Sequence, residues 1–267
     1  MESRKEVNKQ QIYYARTYRH LKGNLKQSLL YLFLFIIPIL VLLLFLYGDV
    51  TIIMSKMAIS FLKEIWPNKS FSIAQFELVR GLTDVSAVQT ITVMPSLKEI
   101  YINIIVNIVL LLFLFSGKRK TKPISIYLVI LVFFHLVSCI YFLFAAKYFP
   151  YSTSDFSELY MKQQVGIWIF FLVLTGIITA FMGSGYFITR MATVIGIMTY
   201  SLIFGVIRYI VSLYILLEFS ILYMIIMFFF LGPFFDFLYL VAIYSFFMNR
   251  MINVYELKRG KERWIWS

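Results

Sequence analysis

The sequence predicts an all-α, polytopic integral membrane protein of about six transmembrane helices with one larger outer loop, on three observations. The chain of 267 residues is 61% hydrophobic and only 14% charged, where a soluble domain carries roughly 25% charged residues. Mean hydropathy is +0.84, so lipid must be the solvent for most of the chain. Apolar runs long enough to cross a bilayer, at ~20 residues each, recur along its length. The basic residues collect at the ends of those runs rather than within them.

The first run spans about 28–47, with Pro38 inside it as an expected kink, and reads as an uncleaved signal anchor, since no small-residue cleavage site follows. Asp49 is expected to end it. An outer loop over 48–99 follows, divided by Pro67 and Pro95. Its first part, Thr51 to Ile65, sets Met54, Met57, Ala58, Phe61, Leu62 and Ile65 on one helical face, the pattern of an interfacial helix lying on the membrane. Thr90 to Val93 has the composition of a short strand. Later runs cover about 100–115, 123–146, 164–182, 193–216 and 221–248, the last interrupted by Gly232-Pro233. These boundaries give a basic N-terminal segment (1–27), a six-helix transmembrane domain (28–249) and a basic tail (250–267).

Charge placement sets the expected orientation. Seven of the 25 Lys/Arg precede the first run, four more lie in Lys118-Arg119-Lys120-Thr121-Lys122, Arg190 follows the Gly183/Gly185 turn, and five follow the last run. Short cytoplasmic loops accumulate Lys and Arg, so both termini are expected in the cytoplasm and the protein in the plasma membrane as a multi-pass chain. The net charge of +12 is then topology and contact with acidic lipid headgroups, with no nucleic-acid partner. Trp66, Trp168, Trp264 and Trp266 fall near expected membrane interfaces.

One cysteine and two histidines exclude an internal disulfide and a cysteine-only metal cluster, and leave too few ligands for a zinc site unless carboxylates dominate it, so no metal is expected. No Walker loop, metalloprotease motif or G-x-S-x-G stands in the chain, and no cofactor is expected. Asn68-Lys69-Ser70 fits a glycosylation sequon.

Ionisable and amide groups inside the apolar runs are the informative positions, because lipid tolerates them poorly. Arg208 lies ~13 Å below the outer end of the fifth run at ~1.5 Å per residue. There it is either a structural cation paired with a carboxylate or a substrate-binding group turned outward by snorkelling. Asp236 is its natural partner, but counted along a continuous sixth helix it lies roughly 9 Å deeper; Glu218 and Glu158 compete. Gly232 and Pro233 form a candidate hinge. His135 and Cys139 share a helix face as a candidate dyad, since a thiol nucleophile needs a base; the competing reading is inert packing among Phe133, Phe134 and Ile140. Asn103 and Asn107 form a second i,i+4 pair, expected either to bond a neighbouring helix or to line a polar path.

Runs four to six follow an order that resembles the exosortase/archaeosortase family of membrane-embedded cysteine transpeptidases. Lys162-Gln163-Gln164-Val165-Gly166 stands where that family has its Cys-containing turn, Phe204-Gly205-Val206-Ile207-Arg208 where it has its Arg, and Phe229-Phe230-Leu231-Gly232 where it has its His. Gly166, Arg208 and Gly232 match, while Gln164-Val165 and Phe230-Leu231 replace the nucleophile and the base. The resemblance covers about ninety residues. It implies loss of the family's thiol chemistry, a binding role around Arg208 and Gln164, and a setting among membrane proteins of envelope and exopolysaccharide assembly. The expected function is a non-catalytic component of that assembly. The alternatives are a transporter or flippase subunit for an anionic substrate, and an intramembrane cysteine transpeptidase or protease using His135 and Cys139.

Overall fold

The computed structural model describes residues 19–21, 25–79, 83–115, 123–181, 187–230, 232, 235–246, 249 and 264–266. The described chain is all-α apart from two small two-stranded sheets, and five of its described helices are long and apolar enough to cross a membrane. They are α1 (Leu25–Ile65), α2 (Leu97–Phe115), α3 (Pro123–Ala145), α4 (Thr153–Phe181) and α5 (Phe187–Glu218). The expected sixth span is two pieces, α6 (Met224–Phe230) and the apolar helix α7 (Phe235–Phe246). Strands β1 (Arg19–Leu21) and β4 (Trp264–Trp266) pair antiparallel, as do β2 (Ser72–Phe76) and β3 (Val85–Gln89).

The chain forms two compact units. The first holds Met1–Leu42, Ile169–Thr199 and Tyr239–Ser267; the second holds Leu43–Trp168 and Tyr200–Leu238. In the first unit, Pro38 has an identifiable effect. Proline lacks an N–H and its ring presses on the carbonyl four residues earlier. The chain answers with a π-helical stretch, Leu32–Ile36, before α-helix resumes at Ile37. Pairing of β1 with β4 joins Arg19–Leu21 to Trp264–Trp266 within this unit.

The second unit corrects the expected break at Asp49. Helix runs without interruption from Ile37 to Ile65, so 51–65 is not a separate interfacial helix. A single Asp is a weak breaker when no proline stands between Pro38 and Pro67, and Thr51 Oγ1 donates back to Gly48 O (2.8 Å) inside the helix. At 41 residues, α1 is ~60 Å long, about twice the hydrocarbon thickness. Tyr47, Thr51, Met54, Ala58 and Leu62 form its buried stripe, while Met57, Phe61 and Ile65 of the expected apolar face are exposed.

That stripe holds the β2–β3 hairpin. The strand lies at Val85–Gln89 rather than at Thr90 to Val93, and four of its five residues are buried. Its edge away from β2 is satisfied by helix side chains. Ser86 N donates to Thr51 Oγ1 (3.1 Å), Ser55 Oγ donates to Ser86 O (3.1 Å) and Val88 N donates to Tyr209 Oη (2.9 Å). Thr90 exchanges two further bonds with Ser154. Backbone polar groups away from water need such partners, and here hydroxyls take the place of a third strand.

Caps set the helix starts. Ser152 and Asp155 form a reciprocal capping box at the head of α4: Ser152 N donates to Asp155 Oδ2 (2.7 Å) and Asp155 N to Ser152 Oγ (3.1 Å). Ser96 Oγ accepts from Glu99 N (3.2 Å) at the head of α2. The buried residues of α2 are Ile100, Asn107 and Leu114, a seven-residue spacing that marks one narrow seam, packed on α3. Its remaining faces are apolar and exposed, as lipid contact requires. Trp168, expected near an interface, is fully buried.

Candidate functional site

Inside the second unit, Arg208 organises a buried polar centre. It lies on the face of α5 that also carries Gly205, three residues earlier. Its Nε donates to Tyr160 Oη (2.7 Å), its Nη2 to Gln164 Oε1 (2.5 Å), and its Nη1 to both Asp236 Oδ2 (2.7 Å) and Gly232 O (3.2 Å). Tyr160 and Gln164 stand one turn apart on α4 and present a hydroxyl and an amide to the same guanidinium. The Tyr160 hydroxyl passes its own proton to Gly205 O (2.8 Å). Its ring also lies under the cation, with Arg208 Cζ 5.1 Å from the centroid.

The Arg208–Asp236 ion pair is almost wholly buried, with side chains 2% and 0% exposed. This overturns the depth argument against it. Counting 1.5 Å per residue assumes an unbroken helix, and α6 stops at Phe230 before α7 begins at Phe235. Gly232 sits in a turn between them, its carbonyl accepting from Phe235 N (3.1 Å) as well as from Arg208. Asp236 is therefore in the first turn of a new helix, where the helix dipole favours a negative charge. Arg208 is not turned outward. Of the competing partners, Glu158 pairs with Lys162 (2.7 Å) and Glu218 is exposed.

Two glycines make the centre possible. A Cβ on Gly205 would stand 2.9–3.2 Å from the Gln164 amide atoms, and one on Gly232 would stand 2.0 Å from Phe228 O. Gly232 admits a backbone approach that no side chain allows. Pro233, the other half of the expected hinge, lies outside the described residues, as do Gly183 and Gly185 of the expected turn.

A second polar ladder runs along α2. Asn103 Nδ2 donates to Glu99 O (2.9 Å), and its Oδ1 accepts from Tyr223 Oη (2.9 Å). Asn107 Nδ2 donates to Cys139 Sγ on α3 (3.6 Å), and Ser220 Oγ donates to Glu99 Oε1 (2.5 Å). Both asparagines thus reach beyond their own helix, as amides in an apolar medium should. The structure does not join His135 to Cys139 among the described residues. Cys139 is bonded by Asn107, while the His135 ring lies on Tyr223 at 5.2 Å. Lys69 of the sequon donates to Leu217 O (3.2 Å) in the last turn of α5, a position that suits a cation.

Sequence reasoning reached Arg208, Asp236, Gln164 and Gly232 but missed Tyr160 and Gly205. The i,i+4 spacing of Tyr160 to Gln164 and the i−3 position of Gly205 were the available signals. The chain matches no family model, no curated protein and no solved structure.

Proposed function

We propose that this chain is a non-catalytic, multi-pass component of cell-envelope or exopolysaccharide assembly, a degenerate exosortase-like protein. In this reading it sits in the plasma membrane with both termini cytoplasmic and the β2–β3 hairpin outside, among other assembly proteins. The observation that carries it is the engagement of Arg208. Each guanidinium nitrogen already donates to this chain's own atoms, and Asp236 supplies its counter-charge. A cation so fully enclosed stabilises a bundle and has little left for a substrate. The three segments that carry the resemblance also meet in space, through Gln164, Arg208 and Gly232. A carboxamide bound to the arginine stands near the family's nucleophile position, and an amide is no nucleophile.

Deletion in the native host, with surface polysaccharide quantified, tests the proposal. Loss of the protein is expected to alter the envelope glycan, and complementation is expected to follow protein abundance. Cys139→Ala and His135→Ala should complement fully. An unchanged glycan, or a variant abundant yet inactive at Cys139, overturns the reading.

The transporter reading keeps one observation in its favour, the break between α6 and α7 with a charge pair at its lip, a device that transporters use. It requires the Arg208 pair to open. Anion flux into vesicles bearing the purified protein, abolished by Arg208→Lys at normal abundance, would select it.

A further inference from the structure

Within the second unit, the two edges of the β2–β3 hairpin end differently, and the register shows which groups are left over. In an antiparallel pair, opposed residues alternate between exchanging both backbone bonds and exchanging none. Ser86 and Val88 turn their backbone groups away from β2, to Thr51, Ser55 and Tyr209. Their partners across the pair are Gln75 and Ile73, so these belong to the positions that exchange none. The N–H and C=O of Ile73 and Gln75 therefore point outward, along the edge of β2 away from β3. Both residues are exposed, and among the described residues no group bonds these four. Sheets commonly guard such an edge with a proline, a lysine, a bulge or an inward charge. Ser72-Ile73-Ala74-Gln75-Phe76 has none of these, and its five pairs with β3 run without a bulge. This is the edge that strand addition requires.

The chemistry beside the edge narrows the occupant. Gln75 lines a cleft of about 260 Å³ between α1 and the hairpin. Asp49 and Asp84 line it too, both exposed, and Phe45 and Ile52 give it an apolar wall. Among the described residues neither carboxylate pairs with a cation. A strand added to β2 carries the side chain opposite Gln75 on the same face of the sheet as Gln75 itself. A lysine or arginine at that position would lay its aliphatic stem against Phe45 and Ile52 and bring its charge to the two carboxylates. A second copy of β2 has no cation to offer, so the fit favours a different chain.

We infer that the outer edge of β2 receives an extended segment of a partner protein by strand addition, with a lysine or arginine of that segment opposite Gln75. The test uses the full chain in mild detergent and a labelled peptide, Thr-Val-Thr-Lys-Thr-Val-Thr, blocked at both ends. Two further versions carry norleucine or glutamate in place of the lysine. Binding is read by fluorescence anisotropy and by hydrogen exchange of individual amides. The lysine peptide is expected to bind saturably and several-fold tighter than the norleucine peptide, with glutamate weakest. The Ile73 and Gln75 amides should exchange fast in the free protein and slow on binding, while Ala74 and Phe76, bonded to β3, stay slow throughout. Gln75→Pro removes one outward donor without touching β3, and should abolish binding with Ala74 still protected. Asp49→Asn with Asp84→Asn should keep binding and erase the preference for lysine. Absence of saturable binding by wild type overturns the inference, and so does a lysine preference unchanged in the double variant. Protection of Ile73 and Gln75 that rises with protein concentration alone also overturns it, by giving the edge to a second copy. If Gln75→Pro fails to accumulate, a peptide methylated on its backbone nitrogens decides instead, and undiminished binding by that peptide overturns strand addition.

Discussion

Among the described residues each unit buries one arginine, and the two are held by different groups. Arg208 is enclosed by a carboxylate, a phenol, an amide and a carbonyl drawn from α4, α7 and the turn before α7. Arg190 lies against the Tyr31 ring and donates to Ala180 O, at the edge of a cleft. The difference teaches what a buried cation is for. Where the fold itself provides the anion, the pair belongs to the fold and its loss is felt as instability. Where the cation instead lies against an aromatic ring and the carbonyl of a neighbouring helix, it fastens one helix to the next.

The strongest way to break this comparison is to remove one member of the Arg208 pair. Arg208→Ala or Asp236→Asn leaves a buried charge uncompensated, and such a loss costs about 3–5 kcal/mol. Unfolding in detergent should show it, along with a fall in abundance. Removing both charges together, Arg208→Met with Asp236→Leu, should recover most of the stability. An Arg208→Ala protein as stable as wild type would mean that the pair does not hold the bundle.

Next in size is Gly232→Ala, which drives a methyl against Phe228 O and forces the backbone to move. Overpacking of this kind costs about 1–3 kcal/mol, measurable by the same unfolding experiment, and it should also loosen the Arg208 bond to Gly232 O. Gly205→Ala is milder, about 1 kcal/mol, because it meets a side chain rather than backbone. Gln164→Ala in the same chain should absorb part of that cost, and a double-mutant cycle would read the coupling.

The spans of α2, α3 and α5 were legible because uninterrupted apolar runs of bilayer length have few other solutions. By contrast, α4 begins at Thr153, well before the run expected from 164, because its polar first turns are capped by Ser152 and Asp155. The continuity of α1 was not legible either. Asp49 reads as a stop when each residue is judged alone, yet nothing from Val50 to Ile65 forbids helix, and the buried stripe from Tyr47 to Leu62 depends on a hairpin that sequence does not position. The strand at Val85–Gln89 escaped for the same reason: its edge is completed by Thr51, Ser55 and Tyr209, partners remote along the chain. At the centre, Arg208 and Asp236 were recognisable by their cost in lipid, but their pairing depended on a helix break whose geometry residue counting cannot supply. Tyr160 was hidden by number, one of 19 tyrosines, most of which suit a membrane interface equally well.

The hydroxyl-lined edge of β3 also sets a timetable. Ser86 finds Thr51 and Ser55, which leave the ribosome before it. Val88 must wait for Tyr209, 121 residues later. At synthesis rates of roughly 5–20 residues per second, the hairpin spends on the order of ten seconds with one side of its strand unfinished. Its last bond forms only after α5 has been made. The segment that looks in sequence like a loose loop between two spans is thus closed late, by a tyrosine adjacent to the arginine that closes the bundle.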